Sequence, residues 1–120
     1  VIQFELDGRL PGLNEMLGSA RSNRFGAAAE KKRLTKRCAD ACRGKGKFDG
    51  PVQVEIYWFE RDIRRDADNL TAGQKFILDG LVEAGVIPND NRKFVPQPPR
   101  HIVAVDKHRP RIVVVVKEIS

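Results

Sequence analysis

The chain of 120 residues predicts a small α/β (α+β) domain, a mixed β-sheet of four or five strands with two main helices packed on it. Three observations point that way. Stretches of alternating apolar residues occur near the start, in the middle and near the end of the chain, and two helical patterns with apolar stripes lie between them. Hydrophobic residues make up 41% and charged residues 32%, the balance of a globular chain rather than a disordered or membrane-spanning one. The length suits one domain, residues 1–120, with a real but modest core.

Taken in order, Val1 to Leu6 alternates as a strand with Ile2, Phe4 and Leu6 on one face, and Asp7-Gly8 turns it. Pro11 to Gly26, with Gly12, Gly18 and Gly26 among Asn14, Arg21, Asn23 and Arg24, reads as a long polar loop that either lies across the substrate backbone or is simply disordered. Ala27 to Arg43 is a helix with a narrow apolar stripe of Leu34, Cys38, Ala41 and Cys42. After a Gly- and Lys-containing connection, Pro51 opens a strand in which Val52, Val54, Ile56 and Trp58 alternate with Gln53, Glu55, Tyr57 and Phe59. From Asn69 to Ala84 the apolar residues Leu70, Ile77, Leu81 and Ala84 fall at helical spacing, with Asp68 as its cap and Gly85 as its stop. His101 to Val105 and Arg111 to Val116 read as two strands joined as a hairpin by DKHRP.

The site is expected between the middle strand and the second helix. Asp66 and Asp68 lie one residue apart beside Arg64 and Arg65, and a further acid, Asp90, follows the helix. In an uninterrupted helix Asp68, Lys75 and Asp79 fall within roughly 20° of one line. Carboxylates alone offer oxygen ligands, which suit Mg²⁺ or Mn²⁺ and not zinc. Acids crowded among basic side chains suit a place where a metal meets a phosphodiester. Taken singly, the same residues are an ordinary helix cap and an ordinary surface pair.

The run RRDADNL, then QKFILDGLVEAGV and the acid Asp90, resembles the RusA family of Holliday junction resolvases, small homodimeric Mg²⁺-dependent endonucleases, over about Arg64 to Asp90. PGLNE after the first strand is a weaker echo. The resemblance implies that Asp66, Asp68 and Asp90 are catalytic, metal-binding acids, that Lys75 is the essential lysine, and that Asn14 is the family's N-terminal asparagine. It also implies a homodimer acting on four-way DNA in recombination and repair. This chain departs from the family form by about three extra residues, Thr71, Ala72 and Gly73, before Gln74.

Charge supports an anionic partner. Lys and Arg number 22 against 16 acids, a net charge of +6. Arg21, Arg24, Lys31, Lys32, Arg33, Lys36 and Arg37 belong to a basic stretch of the first helix and the loop before it, expected to hold a DNA backbone without reading bases. Arg64 and Arg65 would hold the backbone flanking the cut. No Gly-rich phosphate loop occurs, so a nucleotide cofactor is not expected, and the longest apolar run, Ile112 to Val116, is too short for a membrane. Cys38 and Cys42 lack the further ligands of a zinc set and read as reduced and buried; with no visible signal peptide the expected location is cytoplasmic. Two other classes stay open: a basic nucleic-acid-binding module without catalysis, and a metal-dependent nuclease acting on other branched DNA.

Overall fold

The computed structural model describes residues 1–119. The elements run β1 (Ile2–Asp7), α1 (Leu13–Ser22), α2 (Arg24–Cys42), β2 (Val52–Glu60), α3 (Ala67–Leu70), a 3-10 turn (Thr71–Gly73), α4 (Gln74–Glu83), β3 (Arg100–Val105) and β4 (Arg111–Glu118). The four strands form one mixed sheet in the order β1-β4-β2-β3, with β4 antiparallel to both its neighbours and β3 parallel to β2. The expected α+β class, a mixed sheet with helices packed on it, is what the chain adopts.

Alternation along the strands sorts their side chains. Ile2, Phe4 and Leu6, then Val52, Val54, Ile56 and Trp58, then Ile112, Val114 and Val116 are all buried on the face that meets the helices. There they join Leu34, Cys38 and Cys42 of α2 and Phe76, Ile77 and Leu81 of α4 in one core. The two helices approach closely because Gly80 has no side chain: a Cβ there would stand 2.6 Å from the Cβ of Cys38 and 2.9 Å from the backbone N of Ala39. Both cysteines are free and buried as expected, and burial pushes the Cys38 thiol up to about 12.

Three readings of the elements change. The segment Pro11 to Gly26 is largely helix. Its first turn is held by Glu15, whose carboxylate accepts from the Gly12 N–H at 3.3 Å, and by Asn69, whose Oδ1 accepts from the Asn14 N–H at 2.9 Å. The second support comes from 55 residues away, so local propensity, weakened by Gly18, does not reveal it. Asn23 then accepts from Gly26 N at 2.8 Å and caps α2, which begins three residues before the expected start.

The helix expected over Asn69 to Ala84 is two helices joined by a 3-10 turn, and the turn is made by the three extra residues Thr71, Ala72 and Gly73. Asp66, not Asp68, occupies the N-cap position of α3, without a side-chain capping bond. The expected stop holds: Gly85 adopts φ 77°, and the Val86 N–H donates to Leu81 O at 2.9 Å.

The third change concerns the last two strands, which are not a hairpin. β3 lies outside β2 as a parallel edge, β4 inserts between β1 and β2, and the link 106–110 crosses the end of β2, where Asp106 N donates to Glu60 O at 2.7 Å. The physical reason lies in β4, whose Val114, Val115 and Val116 are buried in succession. A strand apolar on both faces belongs in the middle of a sheet.

Candidate functional site

The C-terminal end of β2 delivers the chain into the turn 61–66, and α3 starts there. Asp66 and Asp68 are both exposed, one at the N-cap and one in the first turn of α3. Asn69, on the same short helix, anchors the start of α1 through the Asn14 N–H and packs within 2.9 Å of where a Gly12 side chain would begin. Asn14, Arg64, Arg65, Asp66 and Asp68 are thus brought to one end of the molecule. Asn69 stands inside the DADNL run, and the unread signal was an amide within a motif of acids.

Arg65 has a different place from the one expected of a DNA contact. Its side chain is only 9% exposed and closes bidentately on Glu60, itself nearly buried, at 2.8 and 3.0 Å. It also donates to Leu10 O at 2.8 Å. Arg65 therefore ties the turn after β2 to the segment before α1, which aims Asp66, rather than facing solvent. Arg64 is 81% exposed and remains available to a ligand.

Lys75 sits in the first turn of α4, 59% exposed, with Nζ 3.4 Å from Asp79. Together with Lys31 it lines a cavity of about 400 Å³ between α1, α2 and α4, whose walls include Met16, Leu34 and Phe76. A 3-10 turn advances about 120° per residue instead of 100°, so the turn 71–73 rotates Lys75 by roughly 60° relative to Asp68 compared with a continuous helix. Lys75 and Asp79 keep their shared face; Asp68 leaves it.

Asp90 is not beside Asp66 and Asp68 in the chain's own fold. The segment that carries it is pinned to the start of β2, because Phe48 N donates to Val86 O and Val52 N donates to Phe94 O, each at 2.8 Å. Asp66 and Asp68 follow the finish of that strand. Nine residues of β2 separate the two ends, about 26 Å at ~3.3 Å per residue. Accordingly, among the described residues no group of three or more His, Cys, Asp or Glu is assembled to hold a metal ion.

The basic face of α2 divides into paired and unpaired groups. Arg33 donates to Glu30 at 2.7 and 3.1 Å and Lys36 to Asp40 at 3.0 Å, and those pairings hold both carboxyls below their ordinary range. Arg37 donates to the backbone carbonyls of Asp7 and Arg9, bracing the end of β1. Arg21, Arg24, Lys31 and Lys32 are exposed and make no salt bridge among the described residues, so they keep their full charge for an anion. Arg24 stands at the first position of a helix, where the dipole disfavours a cation unless an anion neutralises it.

His101 is part of a half-buried hydrogen-bond chain. Trp58 Nε1, which can only donate, bonds to its Nδ1 at 2.9 Å, so the proton lies on Nε2, which donates to Gln74 Oε1 at 3.1 Å. Burial pushes its pKa down and favours that neutral form.

No helix among the described residues is long and apolar enough to cross a membrane. Compared with known proteins, the chain matches no protein-family model and no curated protein.

Proposed function

We propose that the chain is a Mg²⁺-dependent endodeoxyribonuclease that resolves Holliday junctions in recombination and repair, acting in the cytoplasm as a homodimer. One observation supports this most: two exposed carboxylates, Asp66 and Asp68, stand beside the exposed Arg64 and the Asn14–Asn69 contact, at an end of the molecule rich in arginine. Oxygen-only donors of this kind fit Mg²⁺, with Mn²⁺ as a substitute. The metal, when bound, would polarise the scissile phosphate and make water a better nucleophile. Arg64 would hold the strand beside the cut. Arg65 and Asn69, through Glu60 and the start of α1, fix the direction in which the acids point. Lys75 would offset charge that develops on the phosphate.

The position of Asp90 gives the dimer a chemical role. One copy keeps Asp90 at the far end of β2 from Asp66 and Asp68, and a two-fold partner can present its own Asp90 to them. Each of two sites would then draw on both subunits, and a four-way junction offers two strands to cut.

Cleavage of an end-labelled synthetic four-way junction is the direct test, with Mg²⁺ or EDTA and with linear duplex alongside. Paired symmetric nicks near the branch that need Mg²⁺ are expected; Mg²⁺-dependent cutting of flaps or duplex in preference to the junction would shift the substrate to other branched DNA. Asp68→Asn should abolish nicking and leave junction binding intact, and Lys75→Ala should slow it by roughly 10² to 10³. Mixing Asp68→Asn with Asp90→Asn subunits discriminates the arrangement of the site. A shared site regains nicking in the mixed dimer, because one of its two sites is then intact; a site built within one chain stays dead.

The separation of Asp90 from Asp66 and Asp68 within one chain favours a second reading, a basic DNA-binding module whose acids serve the fold. It predicts junction binding with no product in Mg²⁺ or Mn²⁺.

A further inference from the structure

At the finish of β2 a notch of about 300 Å³ opens between three connections: Gly8 and Arg9 after β1, Glu60 to Arg65 after β2, and Pro110 before β4. Four of its lining residues are arginines, Arg9, Arg61, Arg64 and Arg65, and two are acids, Glu60 and Asp62. Glu60 is already consumed by the bidentate bond from Arg65. That leaves Asp62 as the one lining carboxylate for Arg61 and Arg64, while Arg9 has only Glu15, outside the notch lining, near it.

Their pairing is loose. Arg61 and Arg64 approach the same Asp62 oxygen at 3.5 and 3.7 Å, and Arg9 approaches Glu15 at 3.6 Å. None of these contacts has the geometry of a hydrogen bond, and among the described residues the three guanidiniums donate none. Three arginines outside the notch close firmly, Arg33 on Glu30, Arg109 on Glu5 and Arg111 on Asp106, each at 2.7 Å, while Arg43 on Asp40 and Arg100 on Glu55 are looser, at 3.4 and 3.6 Å. Asp62 cannot swing freely to satisfy either neighbour, because its other oxygen accepts from the Arg64 backbone N–H at 3.0 Å. Three like charges around one concavity repel, and the repulsion is relieved by an anion that offers several acceptor oxygens.

We propose that Arg9, Arg61 and Arg64 form a phosphate-binding notch that seats one backbone phosphodiester of the bound nucleic acid. The forked N–H groups of arginine match the oxygens of a phosphate in pairs, which a lysine cluster would not do. Arg65 forms the floor without joining in, since four of its hydrogen-bond contacts already go to Glu60, Leu10 and Glu15. The notch also adjoins Asp66 along the chain, so a strand held there would enter the acid-bearing end in a fixed direction. The identity of the ligand as a nucleic-acid strand rests on the function proposed above; the preference for phosphate rests on the notch alone.

The test uses the full chain and two probes. With inorganic phosphate, the Nε–Hε resonances of Arg9, Arg61 and Arg64 should shift together and saturate, while that of Arg33 stays still, and the double variant Arg9→Gln/Arg61→Gln should lose the saturation. With a four-way junction, the same variant should lower the slope of log K against log salt by about 0.9, the loss of one phosphate contact. All three side chains are more than half exposed, so an unchanged melting temperature certifies the fold. Junction binding with an unchanged slope and no phosphate shift would overturn the notch and leave the nuclease reading standing. Saturation by phosphate with no DNA binding by the parent protein would retain the notch as a site for a small phosphate compound and overturn its assignment to a nucleic-acid strand.

Discussion

The two ends of β2 are closed by different means. Around its start, backbone meets backbone: Phe48 N donates to Val86 O, Val52 N to Phe94 O, Val95 N to Asn91 O and Ile119 N to Pro51 O. The side chains there, among them Cys42, Val52, Val86, Ile87 and Val95, are buried and apolar. Around its finish two backbone bonds remain, Gly8 N to Pro110 O and Asp106 N to Glu60 O, and arginine does much of the rest. Arg65 holds Glu60 and Leu10, Arg37 holds the carbonyls of Asp7 and Arg9, and Arg111 holds Asp106 while stacking its guanidinium 4.0 Å over Phe59. An end closed by apolar packing and backbone bonds spends no charge on holding itself together. An end closed by arginine is structural and electropositive at once, and that is where Asp66 and Asp68 stand.

The largest effect expected from breaking this contrast is at Arg65. Arg65→Ala strands the nearly buried Glu60 and should cost about 3 kcal/mol or more in urea unfolding, although a basic residue was removed from a basic protein. A loss under about 1 kcal/mol would mean that the finish of β2 is held by its backbone bonds alone. On the apolar side, Gly80→Ala forces a methyl against Cys38 and the Ala39 backbone and should cost about 1 to 3 kcal/mol, read from the same measurement. An unchanged stability there would show that α2 and α4 can separate freely.

His101 lies between the two halves and supplies the pH dependence. Its folded pKa is lowered by burial from the ordinary 6.5, so the unfolded chain binds the proton more readily. Stability from this group is complete above about pH 6.5 and is lost as pH falls toward the folded value. The melting temperature should drop between pH 7 and pH 5.5, with Trp58 fluorescence following because protonation removes its acceptor at Nδ1. His101→Gln should flatten that dependence. The smallest effect is at Arg61, 70% exposed and loosely paired: Arg61→Gln should leave unfolding within about 0.5 kcal/mol of the parent, in contrast with Arg65 four residues away.

Much of the fold was legible because its signals are local. Alternation in Val52 to Trp58 and the stripe through Ile77 and Leu81 identify a strand and a helix from neighbours two to four residues apart. Gly85 could be read as a stop from its own lack of a Cβ. Helix α1 was not legible, since Asn69 supports its first turn from a distant part of the chain. The place of β4 was hidden for a similar reason: Val114 to Val116 announce burial, but pairing partners about 60 and about 110 residues away decide which strands flank it.

The site divides in the same manner. Sequence by itself determined the chemical inventory: exposed acids at Asp66 and Asp68, a basic α2, two reduced cysteines in the core, and an apolar alternation that makes a sheet with one covered face. Only the tertiary structure decided which charges are spent and which are free. It turned Arg65 inward onto Glu60, left Arg9, Arg61 and Arg64 around one notch, rotated Lys75 through the turn 71–73, and carried Asp90 to the other end of β2. The physical reason is that a side chain's type and period are properties of a few consecutive residues, whereas its partner is set by burial and by strand pairing between segments far apart in sequence.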